Sequence, residues 1–397
     1  MRPDSQATAC GSEEGSMDIN PVKEFIEEAL DLEDPATYAL DSSCNREQPV
    51  LTSSIGLSKA FAELEDEKIW SRRWVAVGFD SDIPKPGDLL PFTVGNHGVH
   101  VERLQQGGLV GRFNKAQHGG CRFIPQQCQN GAKTRCSYTS CGYSRDEGAL
   151  RYDQLDDPHR RLGQYLGDRP EKLLPVRVKT VEGLILVNID PRQSMEHYSS
   201  GLTEAIALQD SLSELTASAI QDVVVQANWK VLLLAWLQEA ETYGEPIHAT
   251  TLALEDGSPT LIADGANRQR QPSAGKPSRL LVYPNLLVEQ TESGTAASIL
   301  QPVGTDMCRI VRYQSNEHAP LTDALDTTWV QTAQTALPEL FSGGEPNLGT
   351  TMGFGTTAST YTGLAVTRRL ISDVLKQYTD EEIHPIFFHR SFTSRRN

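Results

Sequence analysis

The sequence predicts an α+β chain in two halves: a small antiparallel β domain, then helices laid on a second antiparallel sheet. Three observations predict it. From Trp74 to Pro191, short alternating apolar segments are separated by Gly, Pro and Asn turns. Beyond residue 192, strand-like segments are interleaved with amphipathic helical ones. Between them, Asn114–Tyr143 interrupts the strand pattern with four of the seven cysteines, Cys121, Cys128, Cys136 and Cys141, and with His118 just ahead of them.

With 397 residues, the chain is long enough for two or three domains by the prior of about 150 residues each. Hydrophobic residues make up 38% and charged ones 22%, a globular balance. The formal net charge of −16 argues against nucleic acid, which calls for clustered Lys and Arg. Val231–Leu237 is the longest apolar run, far short of the ~20 residues that span a bilayer, so no membrane is expected as a partner. The first residues lack the apolar core of a signal peptide, and Met17 is a second candidate start. The expected location is cytoplasmic, where thiols stay reduced or bind metal.

Residues 1–19 read from their composition as a disordered tail. Residues 20–73 carry helices. Asn20 caps and Pro21 opens the first, with Val22, Phe25, Ile26, Ala29 and Leu30 on one face. Ser58 caps a second that runs to Trp70, with Phe61, Leu64 and Ile69 inward. Residues 74–191 form the β domain, with strands near 74–77, 90–94, 99–101, 109–113, 176–178 and 184–189. Asn96-His97-Gly98 is a tight turn in it, and His97 and His100 are expected to face solvent.

Residues 192–397 mix both element types. A strand at Val223–Val225 leads through Asn228-Trp229-Lys230 into an apolar helix reaching about Tyr243. Strands are expected near 250–254, 260–263, 280–283, 286–289, 298–302 and 308–313, and helices near 321–335 and 364–377. The polar stretch 264–277 reads as an insertion. His384 and His389, around an apolar Ile386-Phe387-Phe388, have no partner at ligand spacing.

Thiolates with an imidazole favour zinc or an iron–sulfur cluster. Cys121, Cys128, Cys136 and Cys141 would make a four-thiolate site, structural zinc or a low-potential cluster, while free buried thiols are the alternative. The spacing lacks the paired Cys-X-X-Cys of a zinc ribbon.

The order of parts from Glu65 to Lys376 resembles the α subunit of Rieske-type non-haem iron oxygenases, which hydroxylate aromatic rings or demethylate amines. FDSDIPKPGDLLPFTVGNHGVHVERL is similar to that family's entry strands, and LLPVRVKTVEGLILVNIDP to the strands closing its Rieske domain. QANWKVLLLAWLQE is similar to the opening of its iron-site helix, and YPNLLVEQ with LQPVGTDMCRIVRY to its central sheet. The resemblance implies a Rieske-like β domain followed by a helix-grip-like catalytic-type domain.

It also implies two metal centres. The family's [2Fe–2S] cluster is held by Cys-X-His and Cys-X-X-His. This chain has Ala116-Gln117-His118 and then, after seventeen intervening residues, Cys136-Ser137-Tyr138-Thr139. His118 and Cys136 match ligand positions; Ala116 and Thr139 do not. The family's mononuclear iron sits on two histidines and a carboxylate. Here the first position falls on Glu241 and the second on Pro246, with His248 two residues on; Asp326 matches the third, with Asp323 as an alternative. Glu241, His248 and Asp326 are thus a candidate divalent-metal set, although clustered Glu239, Glu241 and Glu245 also read as a solvated helix face. Gln238 stands where the family has a carboxylate linking cluster and iron.

Two functions are expected from this. One is an oxidoreductase: a cysteine-ligated cluster passes electrons from a reductase or ferredoxin to mononuclear Fe(II), which activates O2 to hydroxylate or demethylate a small-molecule substrate. The other is a non-catalytic relative, with zinc or no metal, that pairs with an active paralogue. Simultaneous change at Ala116, Thr139, Gln238 and Glu241 favours the second; retention of four clustered cysteines favours metal binding. A small-molecule binding protein is a third option. The resemblance further implies a homotrimer.

Overall fold

A computed structural model describes residues 30–38, 51–95, 97–113, 175–190, 212–215, 219–242, 247–252, 259–263, 278–291, 294–315, 328–341 and 358–377. The expected N-terminal tail and first helix fall almost wholly outside them. The chain is mixed α and β, with two largely antiparallel sheets.

Among the described residues, two short α-helices precede the first sheet. In α1 (Ser53–Gly56) the Thr52 hydroxyl accepts from the Ile55 amide. In α2 (Lys59–Glu65) the Ser58 hydroxyl accepts from Phe61 N at 3.1 Å, as the sequence predicts. A π-helical turn, Asp66–Trp70, carries the chain on and buries Ile69 and Trp70.

The first sheet comprises β1 (Val75–Phe79), β2 (Leu89–Val94), β3 (His97–Arg103), β4 (Leu109–Phe113), β5 (Pro175–Val181) and β6 (Leu184–Asn188). Their order is β1-β6-β5-β4-β3-β2, antiparallel throughout. Glu182 and Gly183 both have positive φ, the two-residue turn whose twist matches a hairpin. Gly95 turns β2 into β3 at φ +57°, and a Cβ there would stand 2.0 Å from Asp66 Oδ1. Residues 114–174, with the whole cysteine cluster, join β4 to β5 and lie outside the described residues.

His100 departs from the expectation of a solvent-facing histidine. It is 0% exposed, and neither ring nitrogen has a hydrogen-bond partner among the described residues. Register sets it between Pro91 of β2 and Arg112 of β4. Burial, helped by the Arg112 charge, pushes its pKa down to about 3. His97 is half-buried, 3.9 Å from Asp66.

The second sheet has seven strands: β7 (Ala219–Val225), β8 (Ile247–Leu252), β9 (Pro259–Ala263), β10 (Ser278–Val282), β11 (Leu286–Thr291), β12 (Gly294–Pro302) and β13 (Cys308–Gln314). Their order is β7-β13-β12-β11-β10-β8-β9. One pairing corrects the antiparallel expectation. β10 runs parallel to β8, because the chain leaves the β8–β9 hairpin and returns beside β8 rather than β9. Among the described residues, three α-helices belong to this half: α3 (Trp229–Thr242), α4 (Thr328–Phe341) and α5 (Ala358–Leu375). The last two overlap the expected spans 321–335 and 364–377; residues 321–327 lie outside the described residues, α4 runs on to Phe341, and α5 starts six residues earlier and ends at Leu375. Val366, Leu370, Ile371 and Val374 give α5 its buried face at helical spacing. No helix among the described residues is long and apolar enough to cross a membrane.

Side chains lock the two sheets together. Asn285 treats β1 as a neighbouring strand: its Oδ1 accepts from Ala76 N at 3.0 Å, and its Nδ2 donates to Ala76 O at 2.9 Å and Leu300 O at 3.2 Å. Tyr313 Oη donates to Asp82 Oδ2 at 2.9 Å. Buried Arg72–Asp190 and Arg73–Asp373 ion pairs tie the residues before β1 to β6's end and to α5.

Asn285→Ala leaves the buried Ala76 amide and carbonyl without a partner. It is expected to cost about 2–4 kcal/mol in urea unfolding. For His100, the folded pKa lies below the ordinary value, so the unfolded chain binds the extra proton first. Its contribution is complete above about pH 6.5 and fades as pH falls toward 3, by up to about 1.4 kcal/mol per pH unit. His100→Leu should flatten the loss of stability between pH 6 and pH 4; an unchanged slope would refute this.

Candidate functional site

α3 carries Glu241, one of the candidate site residues of the second half, in its last turn. Its residues 231–237 are all buried, so it is apolar all round and packed on every side. The sheet lies against it, and α4 and α5 pack on it as well.

Asn228 starts the helix. Its Oδ1 accepts from Lys230 N at 2.9 Å, and its Nδ2 reaches Thr305 O at 2.6 Å, fixing the cap to the β12–β13 turn. Lys230 points into the interior and meets Glu65 of α2 at 2.7 Å, with side chains 1% and 3% exposed. Trp229 Nε1 donates to the other Glu65 oxygen at 3.2 Å. The Trp229 ring packs edge-on to Trp70. Burial raises the Glu65 pKa and lowers that of Lys230, and each partner's charge opposes the shift of the other.

The far end of α3 meets a second ionic group. Trp236 Nε1 donates to Glu289 Oε1 at 2.8 Å. Arg279 donates to Trp236 O and to Glu239 Oε2, both at 2.7 Å. Arg312 pairs with Glu289 at 2.8 Å and donates to Ser298 Oγ at 3.1 Å. Arg279, Glu289, Ser298 and Arg312 come from β10, β11, β12 and β13, so the network spans the middle of the sheet.

Glu241 is the penultimate residue of α3, and His248 the second residue of β8, in register with Leu280 and Ala263. The two therefore lie on different elements rather than one helix. Their side chains, and all of Asp326, fall outside the described residues, with residue 326 two positions ahead of α4. His118, Cys121, Cys128, Cys136 and Cys141 are outside them as well. Among the described residues, no group of three or more His, Cys, Asp or Glu could hold a metal ion. Cys308 lies apart, buried in β13, and burial pushes its thiol pKa up.

Glu65 and Arg279 carry no sequence motif; Lys230 lies in a segment, Gln226–Glu239, that resembles one, and Glu289 and Arg312 in the two that resemble the family's central sheet. The other signal is a charge inside an apolar segment, as in Arg279-Leu280-Leu281-Val282 or Leu286-Leu287-Val288-Glu289. Such a charge has to be paired.

Comparison with known proteins then bears on family. No protein-family model matches the chain. The glycine betaine monooxygenase oxygenase subunit of Chromohalobacter salexigens is 27% identical over 171 residues, 43% of this chain and 37% of that protein. The biphenyl 2,3-dioxygenase subunit alpha of Rhodococcus jostii is 30% identical over 189 residues, 45% and 39% of the two chains. The chain's relatives are Rieske oxygenase α subunits. The matches span less than half the length of these proteins. Among solved structures, the quaternary ammonium Rieske monooxygenase CntA with its substrate gamma-butyrobetaine superposes with a TM-score of 0.54 at 13% identity, over 82% of this chain and 95% of that one. That likeness is one of fold.

Lys230→Met would strand a buried carboxylate and should cost about 3–5 kcal/mol in chemical unfolding. The double change Glu65→Leu with Lys230→Met should recover most of that loss, because the pair is then removed as a unit.

Proposed function

We propose that the chain is a Rieske oxygenase-like oxidoreductase subunit that hydroxylates or demethylates a small organic substrate using O2. The observation that carries this reading is α3. It opens on Asn228-Trp229-Lys230, is anchored at both ends, packs on α4 and reaches Glu241 in its last turn. In this reading residues 74–191 are the Rieske-like domain, residues 192–397 the helix-grip-like oxygenase domain, and residues 20–73 helices packed on the latter, with 1–19 as a tail.

The donor sets differ from the family's. Ala116 brings no donor and Thr139 only a hydroxyl, so the two-cysteine, two-histidine cluster does not fit this chain. His118, Cys121, Cys128, Cys136 and Cys141 instead offer soft donors suited to zinc or a differently ligated iron–sulfur centre. Glu241, His248 and Asp326 offer two carboxylates and an imidazole, a harder set that still suits a divalent metal. Fe(II) held there would supply O2 activation. The protein's net charge of −16 suits a cationic substrate. This reading takes a reductase or ferredoxin as electron donor, a homotrimer and a cytoplasmic location.

A second reading is favoured by a specific observation: Ala116, Thr139, Gln238 and Glu241 all depart from the family at donor or linking positions. It is a non-catalytic subunit, with structural zinc or no metal, that partners or regulates an active paralogue.

Metal and acid-labile sulfide content of anaerobically purified protein, with low-temperature EPR after reduction, separates the two. Iron with sulfide and a reducible signal is expected for the oxidoreductase, and Cys136→Ala should abolish it. Stoichiometric zinc without iron overturns that reading and leaves the partner subunit; metal-free folded protein overturns both metal readings and leaves a binding or scaffold role.

A further inference from the structure

The last turn of α3 holds two carboxylates, Glu239 and Glu241, at the negative end of the helix dipole, where anions are disfavoured and cations favoured. Arg279 stands at that end. Its Nη1 donates to the Trp236 carbonyl and its Nη2 to the Glu239 carboxylate, each at 2.7 Å. The guanidinium also lies 5.1 Å from the Trp236 ring centroid and 3.6 Å from Glu289. Trp236 and Glu239 are three residues apart, hence on one side of the helix. Position 241 is two residues beyond Glu239, about 200° further round. It falls on the side of Leu234 and Leu237, roughly opposite the clamp.

Packing alone does not call for this arrangement. A buried guanidinium is costly to desolvate, and an apolar residue of similar volume would fill the same space. What the planar fork adds is direction. It binds a main-chain carbonyl and a side-chain carboxylate of the same helix at once, while lying over the Trp236 indole. A lysine ammonium cannot hold those two acceptors in one fixed plane. Glu289, bonded to Trp236 Nε1 and to Arg312, prevents the indole from turning away.

We propose that Arg279 is the positioning residue of the last turn of α3: by tying Trp236 and Glu239 to the sheet, it fixes the rotation and the end of the helix, and with them the place of Glu241. The link to Glu241 rests on the metal reading above; the clamp itself does not.

Amide hydrogen exchange resolved along α3 tests it. Arg279→Met and Arg279→Lys should each speed exchange at residues 239–242 by about tenfold or more and leave residues 231–235 as in the parent protein. Unchanged exchange in the last turn overturns the proposal, and so does equal loosening of the whole helix, which a mere core residue would produce. Should Arg279→Met fail to fold, Glu239→Gln carries the test: faster exchange confined to the last turn supports the clamp, and unchanged exchange overturns it. Iron content of the unmutated protein is read separately. Protein that lacks iron but shows the exchange pattern keeps the clamp and loses the metal at Glu241; iron-loaded protein without the pattern loses the clamp alone.

Discussion

The ion pair between Glu65 and Lys230 holds the second half of the molecule in place. A lysine in the first turn of a helix opposes the dipole, and full burial adds a desolvation cost. Both are tolerated because Glu65 arrives from α2 with two oxygens, one for the ammonium and one for the Trp229 indole. The start of α3 is thereby set against the N-terminal helices, while Asn228 sets it against the β12–β13 turn. Everything α3 carries further along inherits its position from these contacts.

The sheets depend on a comparable economy. Asn285 gives β1 a partner on the side where no strand of the first sheet lies, and so joins that sheet's edge to the turn between β10 and β11. Close approach is possible because Gly78 has no side chain. A Cβ there would meet Asp82 Oδ2 at 2.5 Å, the same oxygen that receives the Tyr313 hydroxyl. The backbone shift in β1 between Ala76 and Gly78 falls at this point. Two sheets from distant parts of the chain therefore share polar contacts that neither could satisfy alone.

Much of this was legible in the sequence, for physical reasons. Ser58 ahead of Phe61 and Leu64 predicts a capped helix, and one forms. Alternation in Val99 and Val101, and the continuous run Leu184–Ile189, predict strands that form at those places. What escaped depends on contacts between residues far apart. His100 sits in a segment that looks like an exposed hairpin, and only its covering makes it buried. The parallel partner of β8 follows from where the chain returns after residues 264–277, which no local pattern states. Arg279 and Glu289 look like surface charges until their strands are placed in the middle of a sheet. Within the site, the sequence identifies donor types by spacing, and the structure places Glu241 on α3 and His248 on β8.

The framework and the donors also answer to different constraints. The framework contacts lie in the interior: Glu65–Lys230, the Arg279–Glu289–Arg312 network and Asn285. Removing one partner of any of them leaves a buried polar group unsatisfied, which is costly. Ala116 and Thr139 lie in the long connection between β4 and β5, and Gln238 and Glu241 on the last turns of α3. None of these four positions is among the framework contacts just named. A chain can thus keep a Rieske oxygenase-like fold at low sequence identity while its metal chemistry drifts. The same separation explains why the fold is readable here from packing and polar contacts at low sequence identity.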